Sequence, residues 1–159
     1  MVCLLGPRQC GKTALAASPE PTAALPLAAR VIAGGFPEPL TRSPARARAW
    51  HRDYLLQTFV LQQLMAQAGW TDPDLGFWHY RDKDQVEVDI VITRGRRTWG
   101  VEVKATATPT HADISGLRRL AAQCGDDFGG GILLHAGTHL IPLGAPRFLA
   151  VPLTRLWEI

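Results

Sequence analysis

Three ionisable residues on neighbouring extended runs carry the most specific chemistry in the chain. Asp89 lies in Val86-Glu87-Val88-Asp89-Ile90-Val91-Ile92, and Glu102 and Lys104 lie in Trp99-Gly100-Val101-Glu102-Val103-Lys104-Ala105. Both runs alternate with the period of two that a strand requires. Val86, Val88, Ile90 and Ile92 take one face of the first, opposed by Glu87 and Asp89. In the second, Trp99, Val101, Val103 and Ala105 are opposed by Gly100, Glu102 and Lys104. Arg94-Gly95-Arg96-Arg97 joins the runs as a hairpin. With Gly95-Arg96 at the turn, opposed residue numbers sum to 191 and Asp89 faces Glu102. With Arg94-Gly95 at the turn the sum is 189 and Glu87 faces Glu102. Either even-length loop leaves both acids and Lys104 on one face.

Opposed carboxylates with Cβ atoms about 5 Å apart repel each other. A divalent cation between them removes that repulsion, and a site of oxygen ligands suits Mg²⁺ or Mn²⁺, which fill the rest of their shell with water and substrate phosphate. Lys104 would orient an attacking water or stabilise the charge of a phosphorane-like transition state. That is phosphodiester hydrolysis. The competing reading is plain: alternating charges also solvate an exposed sheet face. The helix before the strands offers Gln57, Gln62 and Gln63 rather than a further acid.

A second motif lies at the N-terminus. Gly6-Pro7-Arg8-Gln9-Cys10-Gly11-Lys12-Thr13 fits the P-loop pattern G-x-x-x-x-G-K-[ST], after the apolar run Val2 to Leu5 and before a helix start at Ala14. In that motif backbone N–H groups around Gly6 and Gly11 cradle phosphates, Lys12 reaches the β and γ oxygens, and Thr13 ligates Mg²⁺. ATP is the implied ligand, held weakly. Hydrolysis needs more, and no apolar run ending in paired acids follows before residue 86.

Composition bounds the rest. The chain has 159 residues, 47% hydrophobic and 19% charged, enough for one packed domain, or one domain with an arm. Its net charge of +3 is too mild to announce nucleic-acid binding by itself. Arg42, Arg46, Arg48 and Arg52 nevertheless concentrate on one helix start, where a DNA phosphate-contacting surface competes with a solvated basic face. Cys3, Cys10 and Cys124 form no C-x-x-C pair, which disfavours a zinc ribbon and fits a reducing cytoplasm. No run of 18 apolar residues exists, so no membrane partner is expected. His111, His135 and His139 do not follow a zinc spacing and read as turn or surface residues.

These sites need elements to hold them. Residues 1–42 hold the P-loop and a proline-punctuated linker, and residues 43–159 form the main domain. Ser43-Pro44 starts a helix that runs to Ala68, with Gly69 as its stop and Trp50, Tyr54, Leu61, Leu64, Met65 and Ala68 on its apolar face. Strands follow at Phe77 to Tyr80, Val86 to Thr93 and Thr98 to Ala105. A helix from Thr110 to Cys124 and a strand from Gly131 to His135 come next. Weaker strands lie near Leu140 to Leu143 and Phe148 to Val151, and a helical turn spans Pro152 to Trp157. The sum is an α/β or α+β domain with a mixed central sheet.

The chain resembles an abridged member of the AAA-type ATPases that carry a C-terminal DUF4143 domain. The likeness rests on the P-loop, on Gly34-Gly35-Phe36-Pro37-Glu38 leading into the basic helix, and on Trp78-His79-Tyr80-Arg81-Asp82, Glu87-Val88-Asp89 and Glu102-Val103-Lys104. The acid-bearing ATPase strand, the sensor region and the small helical domain of that family are missing here. The resemblance implies a PD-(D/E)XK nuclease fold with a restriction-endonuclease-like core. It also implies Asp89 and Glu102 as metal ligands and Lys104 as the catalytic lysine.

Overall fold

A computed structural model describes residues 43–144 and 147–158. The motif residues Gly6, Gly11, Lys12 and Thr13 lie outside the described residues. Of the described residues, 43–55 belong to one compact unit and 56–158 to another.

The first helix, α1 (Pro44–Thr71), has 28 residues and spans about 42 Å. Within 43–55 the rings of Trp50 and Tyr54 stack with centroids 5.0 Å apart. Arg46, Arg48 and Arg52 are exposed there, and Arg52 Nε lies 3.1 Å from Asp53 Oδ1. The helix does not stop at Gly69. A glycine costs about 1 kcal/mol inside a helix without forbidding it, and the ladder continues until Asp72 N–H donates to Ala68 O at 2.8 Å.

The second unit is built on a six-stranded mixed sheet of order β1-β2-β3-β4-β6-β5. Its strands are β1 (Gly76–Arg81), β2 (Glu87–Arg94), β3 (Arg97–Lys104), β4 (Phe128–His135), β5 (Ile141–Pro142) and β6 (Phe148–Pro152). A 3₁₀ turn, His111–Ile114, leads into α2 (Ser115–Cys124), and another, Leu153–Trp157, follows β6. β1, β2 and β3 pair antiparallel, whereas β3, β4 and β6 run parallel. The α2 crossover makes the β3–β4 pairing possible, because parallel neighbours need a long connection. Among the described residues no helix is long and apolar enough to cross a membrane.

Both faces of the sheet are covered. On one, Ile114, Leu117 and Leu120 pack against Val88, Val91, Phe128, Leu133 and Ala150. On the other, Val60 with Leu56, Leu61 and Leu64 packs against Ile90, Val101, Val103 and Leu134. A fully buried leucine such as Leu117 contributes about 1.5–3 kcal/mol. Met65, expected on the buried face of α1, is 51% exposed, and Val60 takes the central place.

This arrangement corrects the expectation of one apolar and one charged face per strand. Val88 belongs to the α2-side core and Ile90 to the α1-side core, although strict alternation puts them together. The cause is a β-bulge. Trp78 pairs with Val91 but Tyr80 pairs with Val88, so Asp89 and Ile90 together oppose the single residue His79. One extra residue on β2 resets its alternation at Asp89.

Candidate active site at a strand fork

The β2–β3 hairpin adopts the register with Gly95-Arg96 at its turn, and Gly95 has φ +55°. Registered pairing runs from Arg94 with Arg97 to Ile90 with Val101 and ends there. At the next position the bulge carries β2 away from β3. Asp89 fills the gap: its Oδ2 accepts Val103 N–H at 2.9 Å, supplying the acceptor that a continued ladder would have provided. On the other edge His79 Nδ1–H donates to Asp89 O at 3.3 Å. Asp89 is therefore held at the mouth of the fork by both neighbouring strands.

Glu102 points from β3 toward α2. A Cβ on Gly116 would lie 2.9 Å from Glu102 Oε1 and 2.1 Å from Glu87 O, so only a glycine lets α2 close over the fork at this distance. Glu102 is consequently 5% exposed, a burial that a carboxylate reaches only with partners. Its partners are Lys104, whose Nζ lies 3.4 Å from Glu102 Oε2, and the Asp89 carboxylate, within hydrogen-bonding reach. Burial, then the charge of Asp89, pushes the Glu102 carboxyl up to about 8, and Lys104 pulls it back only in part. Burial draws the Lys104 ammonium down, but Glu102 and Asp89 together outweigh that and hold it above its ordinary value. At neutral pH the site thus holds a charged lysine beside a Glu102 carboxyl whose neutral form is favoured.

All three residues predicted to do chemistry come together. Several other polar residues of this unit are engaged in bonds of their own. Gln63 Oε1 accepts a bond from Trp157 Nε1 at 3.3 Å and so helps fasten the C-terminal 3₁₀ turn. Both ring nitrogens of His135 are bonded to backbone. Arg119 is committed to Asp82 and Asp84, at 3.0 and 2.7 Å. The arginines of the hairpin turn are also engaged, Arg94 with Asp72 at 2.9 Å and Arg96 with Asp127 at 3.3 Å. Sequence reasoning missed Gly116, which roofs the site, and Asp113, whose charge acts on Lys104. Asp113 was legible only as a helix-capping acid, and it does cap: its Oδ2 accepts Thr110 N–H and Oγ1–H at 2.7 and 2.8 Å.

The donor set fits a hard divalent cation. The repulsion between the Asp89 and Glu102 carboxylates is relieved when a cation lies between them, and oxygen-only donors suit Mg²⁺ or Mn²⁺. Among the described residues no third His, Cys, Asp or Glu joins the set. Mg²⁺ is commonly held by one or two carboxylates with water and substrate phosphate. A separate apolar groove of about 970 Å³, lined by Ile92, Trp99, Ile132 and Leu149 among others, includes none of the three residues.

Residues 53–156 match the family described as domain of unknown function DUF4143. The chain belongs to the DUF4143 family. No curated protein and no solved structure matches it. Within this DUF4143 domain the matched span contains α1 from Asp53 onward, the whole sheet and the strand fork.

Proposed function

We propose that this DUF4143 domain is a nuclease-like module that hydrolyses phosphodiester bonds in a metal-dependent way, with DNA as its substrate class. The observation that carries the reading is the meeting of Asp89, Glu102 and Lys104 where β2 parts from β3. The order α1, β1, β2, β3, α2, β4 supports a PD-(D/E)XK, restriction-endonuclease-like core. Asp89 and Glu102 would hold Mg²⁺ or Mn²⁺, which supplies Lewis-acid activation of water and phosphate when bound. Lys104, 38% exposed at its side chain, can reach a substrate and offers a fixed positive charge to the phosphoryl oxygens. The wall made by α2 keeps bulk water from Glu102 and strengthens every charge interaction there. Exposed Arg46, Arg48 and Arg52 supply phosphate contacts in this reading.

The P-loop sequence from Gly6 to Thr13 supports a separate, weak ATP-binding property, as would suit a shortened member of the AAA-type ATPases. A non-catalytic binding or regulatory module is the second reading, favoured by the depth at which Glu102 lies.

Calorimetry with Mn²⁺ tests the first reading. Saturable binding that is lost in Asp89→Ala and in Glu102→Ala supports it, and absence of binding at millimolar metal removes it. Nicking of supercoiled plasmid that stops in Lys104→Ala separates the nuclease from the non-catalytic module. ATP-analogue binding that survives Lys12→Ala would remove the P-loop property.

A further inference from the structure

His135 is the last residue of β4 and is completely buried. In the parallel β3–β4 pair it is the registered partner of Lys104, as Leu133 is of Glu102. Neighbouring strands lie about 4.8 Å apart and registered side chains share a face. Leu133 belongs to the α2-side core, so the His135 ring sits on that side, next to the stem of Lys104.

Both ring nitrogens are used by the turn that follows the strand. Nδ1 accepts Gly137 N–H at 3.0 Å, and Nε2–H donates to His139 O at 3.0 Å. An accepting Nδ1 with a donating Nε2 defines an uncharged ring of one tautomer. The turn in its place grips the segment that leaves Lys104. Ala136 N–H donates to Thr106 O at 2.8 Å. Gly137 is pressed between the two: a Cβ there would stand 2.4 Å from Ala107 O and 2.7 Å from His135 Nδ1. The imidazole, the 136–139 turn and the 105–108 segment form one packed unit directly after Lys104.

We propose that His135 is a positioning residue for Lys104, fixing the end of β3 through the 136–139 turn. Its complete burial keeps it from substrate, so its effect passes through the turn. The Gly137 bond is the link that matters, because Gly137 is the residue in contact with Ala107. The consequence for catalysis rests on the nuclease reading, whereas the positioning itself does not.

Two substitutions divide the ring's functions. His135→Asn keeps an acceptor near the Nδ1 position and so keeps the Gly137 bond. His135→Gln keeps a donor near the Nε2 position and loses it. In Mn²⁺-supported plasmid cleavage under single-turnover conditions, His135→Gln is expected to slow the rate constant at least tenfold, with Mn²⁺ affinity within threefold of wild type. His135→Asn is expected to restore most of the rate. In nuclear magnetic resonance spectra the wild-type ring should be Nε2-protonated and uncharged. The Lys104 side-chain resonances should shift in His135→Gln and stay near wild type in His135→Asn. A charged or Nδ1-protonated ring overturns the proposal, as do Lys104 resonances unmoved by His135→Gln. Should His135→Gln fail to fold, the wild-type tautomer and the Lys104 resonances of His135→Asn decide in the same sense. A wild-type protein that binds Mn²⁺ but does not cleave removes the nuclease reading and leaves the resonances to decide the positioning.

Discussion

Replacing Glu102 by glutamine should make the protein more stable at alkaline pH. Glutamine matches the protonated carboxyl in shape, and its amide can donate to Asp89 and accept from Lys104. The folded protein holds Glu102 at about 8 against an ordinary 4.5, first by burial and then by the charge of Asp89. A raised carboxyl means that the fold prefers the neutral form. Its contribution is fully present below pH 4.5 and is lost as pH rises through 8. The displacement corresponds to at most about 5 kcal/mol, a large part of the roughly 5–15 kcal/mol that holds a domain folded. The assay is urea denaturation of wild type and Glu102→Gln at intervals from pH 5 to pH 9, without metal. At pH 5 the two should agree within about 1 kcal/mol. At pH 9 Glu102→Gln should be the more stable by about 2–5 kcal/mol. Adding Mn²⁺ at a hundred times its dissociation constant should return about 2.7 kcal/mol to the wild type and little to the variant. Parallel pH profiles for the two proteins, or a variant less stable at pH 9, would refute the reasoning.

Asp89→Ala removes the acceptor of Val103 N–H, a buried donor, and should destabilise by about 1–3 kcal/mol, whereas Asp89→Asn keeps that bond. Both should lower the pH at which Glu102 titrates, and denaturation together with carboxyl titration by nuclear magnetic resonance would show it. Gly116→Ala drives a methyl to 2.1 Å from Glu87 O and should destabilise by about 1–3 kcal/mol while raising the hydration of Glu102; an unchanged unfolding midpoint would contradict the roof. Asp82 accepts Val86 N–H at 2.9 Å, Arg119 Nε–H at 3.0 Å and Asp84 N–H at 2.8 Å. Burial raises its carboxyl, but these partners more than offset that and leave it below the ordinary value. Its contribution should be present above the ordinary aspartate range and disappear as pH falls through the lowered value, so Arg119→Ala should unfold at a higher pH on acidification.

The strands, the two helices and the mixed character of the sheet were legible because period-two runs and proline and glycine punctuation mark the limits of the elements locally. Gly95 marked the hairpin turn but left two registers open, and the structure takes the one with Gly95-Arg96 at the turn. The bulge at Asp89 and Ile90 was not legible from alternation, which assumes an unbroken strand. One signal was present: Ile90-Val91-Ile92 is continuously apolar, as a strand covered on both faces is. The depth of Glu102 was invisible for a different reason. It depends on α2 closing over β3, and that contact is made possible by Gly116, which is distant in sequence and ordinary in type. Met65 shows the same limit, since a broad apolar helix does not reveal which of its sides the sheet will take.

The most direct measurement is single-turnover cleavage of supercoiled plasmid in Mn²⁺ by wild type and by Lys104→Met, with metal affinity measured on both. The proposed function predicts cleavage by the wild type, and its loss by at least a hundredfold in Lys104→Met at near-equal Mn²⁺ affinity, since on that proposal Lys104 would stabilise reacting charge rather than the ion. Cleavage that continues undiminished in Lys104→Met, or a wild type that binds neither metal nor DNA, would contradict the assignment of this fork as a phosphodiesterase site.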